Sequence, residues 1–297
     1  MLAKPTLPPR VALLLTIVFW GISFVATKTA LREISPVTLI VLRFGLGTAL
    51  LLGLLRARGQ ALLPPRDSWP MLAFMGFVGV FLHHLIQATA LTTTTAVHAG
   101  WLIAIIPIWS SLFSIALRKE RFGLYKLAGT VGGIAGAILV VSQGKPLGEV
   151  LQLRSAHGDF LILASTVTWA IYSVTGHATI KRIGPTRATA GAMLFGWLMF
   201  LPLFIPNAGW HEFAHLSSRG WGAVLFLGVG CSALGYLFWY SALERIEVSR
   251  VAAFLYAQPL VTAAAAVLLL REPVTLATIG GGVLVVLSVF VIQRAPA

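Results

Sequence analysis

Residues 76–91 read GFVGVFLHHLIQATAL, and residues 228–243 read GVGCSALGYLFWYSAL. Neither stretch contains a lysine, arginine, aspartate or glutamate, and each belongs to a longer apolar run. A helix needs about 20 predominantly apolar residues to cross the roughly 30 Å hydrocarbon core of a bilayer. The two stretches therefore predict membrane-spanning helices.

The composition of the whole chain supports the same interpretation. Of the 297 residues, 58% are hydrophobic and 10% are charged, whereas about 25% of the residues of a soluble domain are charged. The net charge of +13 would indicate nucleic-acid binding in a soluble protein. Here the basic residues lie between apolar runs and have a topological role, so we expect a lipid bilayer, and no nucleic acid, as partner.

The apolar runs predict an all-α integral membrane protein with ten transmembrane helices. The predicted spans are Val11–Leu31, Pro36–Leu55, Pro70–Leu91, Ala96–Leu117, Leu124–Ser142, Gly158–Ile180, Arg187–Pro206, Gly220–Leu243, Val248–Leu270 and Thr275–Ile292. Lysine and arginine set the orientation, because cytoplasmic loops carry the excess. Fifteen of the 22 basic residues fall in connections on the side of the two termini, and six fall on the opposite side. Both termini are therefore predicted to be cytoplasmic.

The chain also contains an internal repeat. Trp20 aligns with Trp169 at an offset of 149 residues, and Pro107 aligns with Pro259 at an offset of 152. Each half contains five predicted spans, an odd number, so the second copy enters the membrane from the opposite face. Inverted repeats of this kind are typical of secondary transporters, whose binding site lies near the bilayer midplane where the repeats meet. The sequence therefore predicts a carrier that works by alternating access.

A set of short motifs occurs in the same order in both halves. They are Trp20-Gly21, Ser35-Pro36, Arg43-Phe44, Ala90-Leu91, Pro107 and Arg118-Lys119-Glu120 in the first half, and Gly158-Asp159, Trp169-Ala170, Gly184-Pro185, Tyr240-Ser241-Ala242-Leu243, Gln258-Pro259 and Arg271-Glu272 in the second. This double occurrence resembles the EamA module of the drug/metabolite transporter superfamily. The resemblance implies a ten-helix carrier, commonly an exporter of amino acids or related small metabolites in the bacterial inner membrane. It predicts one five-helix repeat at 11–142, an inverted repeat at 158–293 and a periplasmic linker at 143–157.

Two tryptophans are the first candidates for a solute-binding cavity. Trp20 and Trp169 lie about halfway along their predicted spans and at equivalent positions of the repeat. Indole rings there can form an apolar wall. Each ring also has one N–H group that can donate to a carbonyl or carboxylate group of the solute. Packing between helices is the alternative role.

His83, His84 and Gln87 form the most polar cluster deep within a predicted span. Polar groups inside a membrane normally face the bundle interior or a water-filled cavity, and we favour His84 over His83 as a cavity residue. The alternative is a histidine bonded to a neighbouring backbone. Tyr236 and Tyr240 of the second half are predicted to face the histidines.

Pro107 and Pro259 lie within predicted spans, where each removes a helical hydrogen bond. Broken helices at the midplane expose backbone groups to the substrates of transporters, so we expect these prolines to shape or gate the pathway. Gln258 follows as a candidate hydrogen-bonding residue for the solute. Trp101, Tyr256 and His98 flank the same two helices.

Arg43 is the only charged residue deep within a predicted span. It can attract a carboxylate of the solute or bond to the protein itself, and we favour the structural role. All nine acidic residues fall at the ends of spans or in loops, which disfavours proton coupling through a carboxylate. Facilitated diffusion is therefore the preferred mechanism. The alternative is a proton-coupled exporter of another metabolite or of a drug, with histidine as the group that carries protons.

An enzyme acting on lipid-linked substrates is a less favoured hypothesis. Its best candidates are His211, Glu212 and His215, whose letters fit the H-E-x-x-H zinc pattern but lie in a short polar link. The single cysteine, Cys231, cannot form an internal disulfide. We expect no enzyme activity, no cofactor and no metal, and we expect a monomer whose partner is a small-molecule solute, aromatic amino acids being candidates.

Overall fold

The fold is described from a computed structural model for residues 7–118, 123–243 and 254–293. Within these ranges the chain is helical and contains no β-strand. The predicted all-α fold class is therefore confirmed.

The helices follow one another with short connections. In the first half, α1 is Pro9–Ala30, α2 is Pro36–Ala57, α3 is Arg66–Leu91, α4 covers 96–118 and α5 is Leu124–Ser142. In the second half, α6 is Ala156–Ile183, α7 is Pro185–Phe204, α8 covers 218–243, α9 covers 254–270 and α10 is Leu276–Gln293. The connections include the short helix Leu147–Val150 and the 3₁₀ helix Gly209–His215.

Seven helices in the described ranges are long and apolar enough to cross a membrane. Three further apolar helices, Ala96–Ser110, Gln258–Leu270 and Leu276–Ile292, are shorter. Large apolar side chains such as those of Leu14, Val131 and Leu287 are exposed on the outside of the helices, which suits contact with lipid rather than water. The protein is therefore a multi-pass membrane protein.

The bundle has two ends, which we define by helix α1. The end where α1 begins at Pro9 is the proximal end, and the end where it finishes at Ala30 is the distal end. At the distal end, serine and threonine side chains cap four of the described helices: the side-chain oxygens of Ser35, Thr95, Ser217 and Thr275 accept hydrogen bonds from backbone N–H groups of α2, α4, α8 and α10, respectively. Such caps satisfy N–H groups that have no partner inside the helix.

Contacts between helices occur twice, at positions related by the offsets of the internal repeat. The hydroxyl of Thr16 on α1 donates to the carbonyl of Gly235 on α8, with an oxygen–oxygen distance of 3.2 Å. The equivalent residues are Ser165 on α6 and His83 on α3, and His83 Nδ1 lies 2.9 Å from the Ser165 carbonyl oxygen. The contact between α1 and α8 is thus repeated between α6 and α3.

The same relation holds where α5 packs along α10. A Cβ atom added to Gly129 would meet the carbonyl oxygen of Ser288, and one added to Gly281 would meet that of Gly136. The offset of 152 relates Gly129 to Gly281 and Gly136 to Ser288. Small residues at these positions let the two backbones approach closely, so this helix pair forms a tightly packed part of the scaffold.

Several helices contain irregular turns that the apolar pattern did not predict. Residues Gly76–Leu82 of α3 and Phe226–Gly235 of α8 are π-helical. The two segments overlap when the 152-residue offset is applied. Short 3₁₀ turns, Ile103–Ile105 and Phe254–Ala257, precede Pro107 and Pro259. Each predicted proline break therefore coincides with a change in helix type.

Candidate functional site

A small cavity lies between α1, α2 and α3, and residues of all three helices line it. The lining residues are Thr27, Leu39, Ile40, Arg43, His84, Gln87 and Ala88. The cavity has room for about one water molecule. In this conformation the protein is therefore closed around the polar group of residues that the sequence singled out.

Arg43 of α2 is the charged residue of this cavity. Its Nε–H donates to the hydroxyl oxygen of Ser232 on α8 over 3.1 Å, and its guanidinium carbon lies 5.1 Å from the centre of the Phe44 ring. Within the described part of the chain, the terminal nitrogens of Arg43 have no hydrogen-bond or ion-pair partner. Arg43 thus joins α2 to α8 through one of its N–H groups and keeps the others available.

The two adjacent histidines of α3 have different environments. The Nδ1 atom of His83 lies 2.9 Å from the Ser165 carbonyl oxygen and 3.1 Å from the Thr168 hydroxyl. A carbonyl can only accept, so His83 carries its proton on Nδ1 and ties α3 to α6. The His84 ring packs 4.6 Å from the Phe44 ring and lines the cavity.

A π-helical segment precedes this pair of histidines, and another precedes Tyr236 of α8. Single π turns inside α-helices occur frequently at functional sites. Within the first segment, Gly79 faces the Tyr172 ring of α6 without room for a Cβ atom. Both segments therefore adjust the rotation of a helix just before it presents polar or aromatic side chains to the other half.

Trp20 of α1 packs against aromatic residues of α8. Its ring centre lies 5.4 Å from that of Tyr236 and 5.3 Å from that of Trp239. Its indole N–H donates to the carbonyl of Cys231 over 3.2 Å. The indole N–H of Trp20 is therefore already used by the protein in this conformation.

Trp169 of α6 packs in an equivalent way against α3. Its ring centre lies 5.0 Å from that of His83 and 5.2 Å from that of Tyr172. Ring contacts then continue through His84 to Phe44, beside which Arg43 lies. The two tryptophans thus each join a separate aromatic cluster, and both clusters contain residues from both halves.

Other candidates lie elsewhere or outside the described side chains. Trp101 is buried against Gly282 of α10, and its indole N–H has no partner in the described part of the chain. The backbone carbonyl of Gln258 accepts from the Thr262 hydroxyl over 3.0 Å, beside α1. The side chains of Tyr240 and Tyr256 lie outside the described residues.

A second polar group, which the sequence did not predict as a site, lies at the distal end. The Glu272 carboxylate accepts hydrogen bonds of 3.0 Å from the backbone N–H groups of Ala96 and Val97 at the start of α4. It also lies 3.1 Å from Lys28 Nζ, and Lys28 donates to the Thr94 carbonyl over 2.6 Å. One carboxylate thus links α1, α4 and the connection between α9 and α10.

Thr94 also joins this group to a buried carboxylate. Asp159, in the first turn of α6, is fully buried and accepts a hydrogen bond from the Thr94 hydroxyl. His98 Nδ1 lies 3.1 and 3.0 Å from the two carboxylate oxygens of Asp159. The expectation that the acidic residues lie at helix ends holds for Asp159, but its burial and its pairing with a histidine were not foreseen.

Two further carboxylates cap helices across the distal end. Glu33 accepts from the backbone N–H and the hydroxyl of Ser217 at the start of α8, over 2.7 Å in each case. These hydrogen bonds, led by that of the hydroxyl, lower the pKa of Glu33 below its ordinary value. Glu212 accepts from the Ser35 N–H at the start of α2 over 2.5 Å.

The contact of Glu212 explains the H-E-x-x-H letters. These residues lie in the 3₁₀ helix Gly209–His215, where the glutamate caps a neighbouring helix. In the part of the chain that the structure describes, no group of three or more histidine, cysteine, aspartate or glutamate residues is arranged to hold a metal ion. The zinc interpretation therefore has no support from the geometry.

At the proximal end, the described contact between charged residues is more exposed. Arg182, at the end of α6, lies 2.6 Å from the Asp67 carboxylate and donates to the Ser68 hydroxyl over 2.8 Å. The side chains of Arg182 and Asp67 are 54% and 63% exposed. The 149-residue offset relates Arg182 to Glu33, so equivalent positions carry opposite charges at the two ends.

Comparison with known proteins identifies relatives over nearly the whole chain. An uncharacterized transporter of Archaeoglobus fulgidus is 30% identical over 292 residues, which cover 96% of this chain and 98% of the relative. A probable terminal-alkyne amino-acid exporter of Streptantibioticus cattleyicolor is 29% identical and covers 95% and 92%. The aromatic amino acid exporter YddG of Ancylobacter novellus is 26% identical and covers 83% of each chain.

The fold is also found among solved structures. One crystal structure matches 98% of both chains with a TM-score of 0.67 at 22% sequence identity, which shows a shared fold. The model of the EamA-like transporter family matches residues 10–142 and 156–294. The relatives are named as transporters and exporters rather than enzymes. These matches confirm the resemblance drawn from the sequence motifs, and the chain belongs to the EamA-like transporter family.

Proposed function

We propose that the protein exports amino acids, aromatic ones among them, or related small metabolites across the bacterial inner membrane by facilitated diffusion. The observation that carries this proposal is the cavity that Arg43, His84 and Gln87 line, where the His84 ring packs against Phe44 and His83. Polar groups enclosed by aromatic rings are typical of small-molecule sites. Two relatives are named as exporters of amino acids, one of them aromatic.

The proposed architecture is ten transmembrane helices in two inverted five-helix repeats. The three shorter apolar helices complete five helices in each half, and the repeated contacts fit two halves related by a twofold axis in the membrane plane. The excess of basic residues supports cytoplasmic termini, so the proximal end faces the cytoplasm and 143–157 lies in the periplasm. The carrier works as a monomer.

In this proposal, the two halves alternate in opening the cavity to the two sides. Opening toward the distal end requires the contacts of Glu272 with Lys28 and with α4 to separate, because they join the two halves. Opening toward the proximal end requires separation of helices there instead. Solute bound between the halves is exposed to one side at a time.

A proton-coupled exporter is the second candidate function. The buried contact between His98 and Asp159 favours it, because histidine and carboxylate groups inside membranes form proton relays in pumps and transporters. Under this alternative, protonation of Asp159 removes the negative charge that His98 and Thr94 contact, and so weakens these contacts at the distal end. Protons then contribute to the choice between the two open states.

Flux measurements in liposomes distinguish the two candidates. Purified protein is reconstituted, and uptake of radiolabelled L-phenylalanine, L-tryptophan and L-leucine is measured with and without an imposed pH gradient, with protein-free liposomes as the control. Saturable flux that ignores the gradient supports facilitated diffusion. Flux that requires the gradient supports proton coupling, and absence of flux for all three solutes contradicts transport of amino acids.

The variant Asp159→Asn sharpens this test. If the buried pair carries protons, the variant loses gradient-driven flux and keeps exchange of L-phenylalanine in the absence of a gradient. If the pair is structural, the variant lowers both kinds of flux together. Asp67→Asn serves as the matched control, because it makes the same change in an exposed carboxylate at the other end of the bundle.

A further inference from the structure

The positive charge of Arg43 has no equivalent in the second half of the internal repeat. The 149-residue offset relates it to Ala192 of α7, and the 152-residue offset relates its cavity neighbours His84 and Gln87 to Tyr236 and Trp239. The polar groups of the cavity therefore come from the first half, whereas the equivalent positions of the second half are aromatic or small.

The packing around Arg43 does not require its charge. A Cβ atom added to Gly228 of α8 would meet the Arg43 carbonyl oxygen, and one added to Gly76 of α3 would meet the Ala192 carbonyl oxygen. These contacts are equivalent by the two offsets, so α2 packs on α8 as α7 packs on α3. Since alanine is sufficient at the second contact, this backbone packing does not require an arginine side chain.

Among the described residues, most N–H groups of the Arg43 side chain have no hydrogen-bond partner. A guanidinium has five N–H groups in a planar fork, and the described contacts use the Nε–H on Ser232. This bond holds one edge of the group, while the terminal nitrogens belong to a residue that lines the cavity. Two terminal N–H groups in this arrangement match the two oxygens of a carboxylate.

The described part of the protein does not supply an anion to Arg43. Its neighbours there are the Phe44 ring, the Ser232 hydroxyl, His84 and Gln87. The buried carboxylate of Asp159 is bound to His98 and Thr94. A charge inside a membrane is stabilised by a partner, and a carboxylate of the solute can supply that partner.

We propose that Arg43 binds the carboxylate of the solute through its terminal N–H groups, and that a carboxylate is required for transport. This inference rests on the proposed function and narrows the substrate class to solutes that carry a carboxylate, with amino acids among them. The cluster of Trp20, Tyr236 and Trp239 faces the apolar part of the solute. It is linked to Arg43 through α8, where Trp20 donates to the Cys231 carbonyl and Arg43 donates to the hydroxyl of the next residue, Ser232. Amines without a carboxylate are excluded, because they meet an uncompensated positive charge.

The experiment compares the wild type with Arg43→Gln in liposomes. Uptake of radiolabelled L-phenylalanine is measured in competition with L-phenylalaninamide, which lacks the carboxylate, and with N-acetyl-L-phenylalanine, which keeps it. In the wild type, the acetylated compound competes and the amide does not. In Arg43→Gln, we expect the KM for L-phenylalanine to rise about 10- to 100-fold, as for loss of a hydrogen-bonded charge. We also expect the two competitors to inhibit uptake by this variant equally.

Three further variants separate recognition from folding. Arg43→Lys keeps the charge but lacks the planar fork, so we expect an intermediate KM and retained preference for the carboxylate. Ser232→Ala removes the tether and keeps the guanidinium, so it also retains the preference. Arg154→Gln makes the same change at an exposed arginine of the connection between α5 and α6, and its kinetics match those of the wild type.

The outcomes distinguish this inference from the proposed function. If the wild type carries L-phenylalanine and Arg43→Gln keeps the same preference for the carboxylate, only the role of Arg43 is refuted. If the wild type carries none of the amino acids, the proposed function fails and the inference fails with it. Gel filtration in detergent shows whether Arg43→Gln folds. If it does not fold, the competition experiment with the wild type decides. Inhibition by the amide that is as strong as inhibition by the acetylated compound then overturns the requirement for a carboxylate.

Discussion

The buried contact between Asp159 and His98 gives the sharpest prediction of stability. The carboxylate of Asp159 is fully buried and accepts from both the Thr94 hydroxyl and His98 Nδ1. In Asp159→Asn, an NH₂ group replaces one of these oxygens. The negative charge is lost, so the charge-assisted hydrogen bonds of the carboxylate to Thr94 and His98 become weaker bonds between neutral groups.

The magnitude follows from the number of bonds and their burial. Loss of a hydrogen bond to a charged group costs about 1.5–3 kcal/mol. We therefore expect Asp159→Asn to lower the free energy of unfolding by about 1.5–3 kcal/mol. The melting temperature should fall by roughly 3–9 °C.

Thermal unfolding in detergent at one fixed pH measures this effect. The matched control is Asp67→Asn, which weakens an exposed ion pair with Arg182 and should cost about 0–1 kcal/mol. A double-mutant cycle with His98→Ala isolates the coupling between His98 and Asp159, which we expect to exceed about 1 kcal/mol. Equal effects of the two aspartate substitutions, together with zero coupling, would refute the structural role assigned to the buried pair.

Three other predictions concern function and the two ends of the bundle. Glu272→Gln removes the ion pair with Lys28 and so weakens the contacts that close the distal end. Cysteines introduced at the distal end of the cavity should then react with a thiol reagent at least 3-fold faster. Unchanged labelling would show that Glu272 does not hold this end closed. Trp20→Ala and Trp169→Ala should each lower L-phenylalanine flux at least 5-fold at wild-type expression, and normal flux in both would place the solute elsewhere. The lowered pKa of Glu33 stabilises the fold above the unfolded pKa of about 4.3, and that contribution is lost as the pH falls through the lower folded pKa. Melting curves of Glu33→Gln between pH 3 and 6 should therefore depend less on pH than those of the wild type.

Apolar periodicity and length were sufficient to predict the helices, because a bilayer requires long runs without charge. The prolines also marked real irregularities, since Pro107 and Pro259 each follow a 3₁₀ turn. The two π-helical segments had no comparable signal. They depend on how α3 and α8 pack against the other half, and glycines such as Gly79 and Gly230 are common in apolar spans without π turns.

The candidate site was predicted in part. The expectation that His84 and Gln87 line a cavity stays a prediction of function, although both border the space beside Arg43. The contact of His98 with Asp159 was not predictable by spacing, because 61 residues separate them. Trp101 was chosen for its residue type and its place beside the proline-containing helices. Whether an indole faces a cavity or a neighbouring helix depends on packing that the linear sequence does not display.

The two ends of the bundle differ in the strength of their closing contacts, and this difference bears on the direction of transport. At the distal end, the side chains of Glu272 and Asp159 are 9% and 0% exposed, and both are paired with basic residues. Of the contacts described at the proximal end, the ion pair of Arg182 with Asp67 is largely exposed and is worth about 0–1 kcal/mol. Among these contacts, opening the proximal end therefore costs less than opening the distal end. If the proximal end faces the cytoplasm, as proposed, these contacts predict that the empty carrier takes up solute from inside the cell. Weakening the distal contacts by Glu272→Gln should then speed release to the outside.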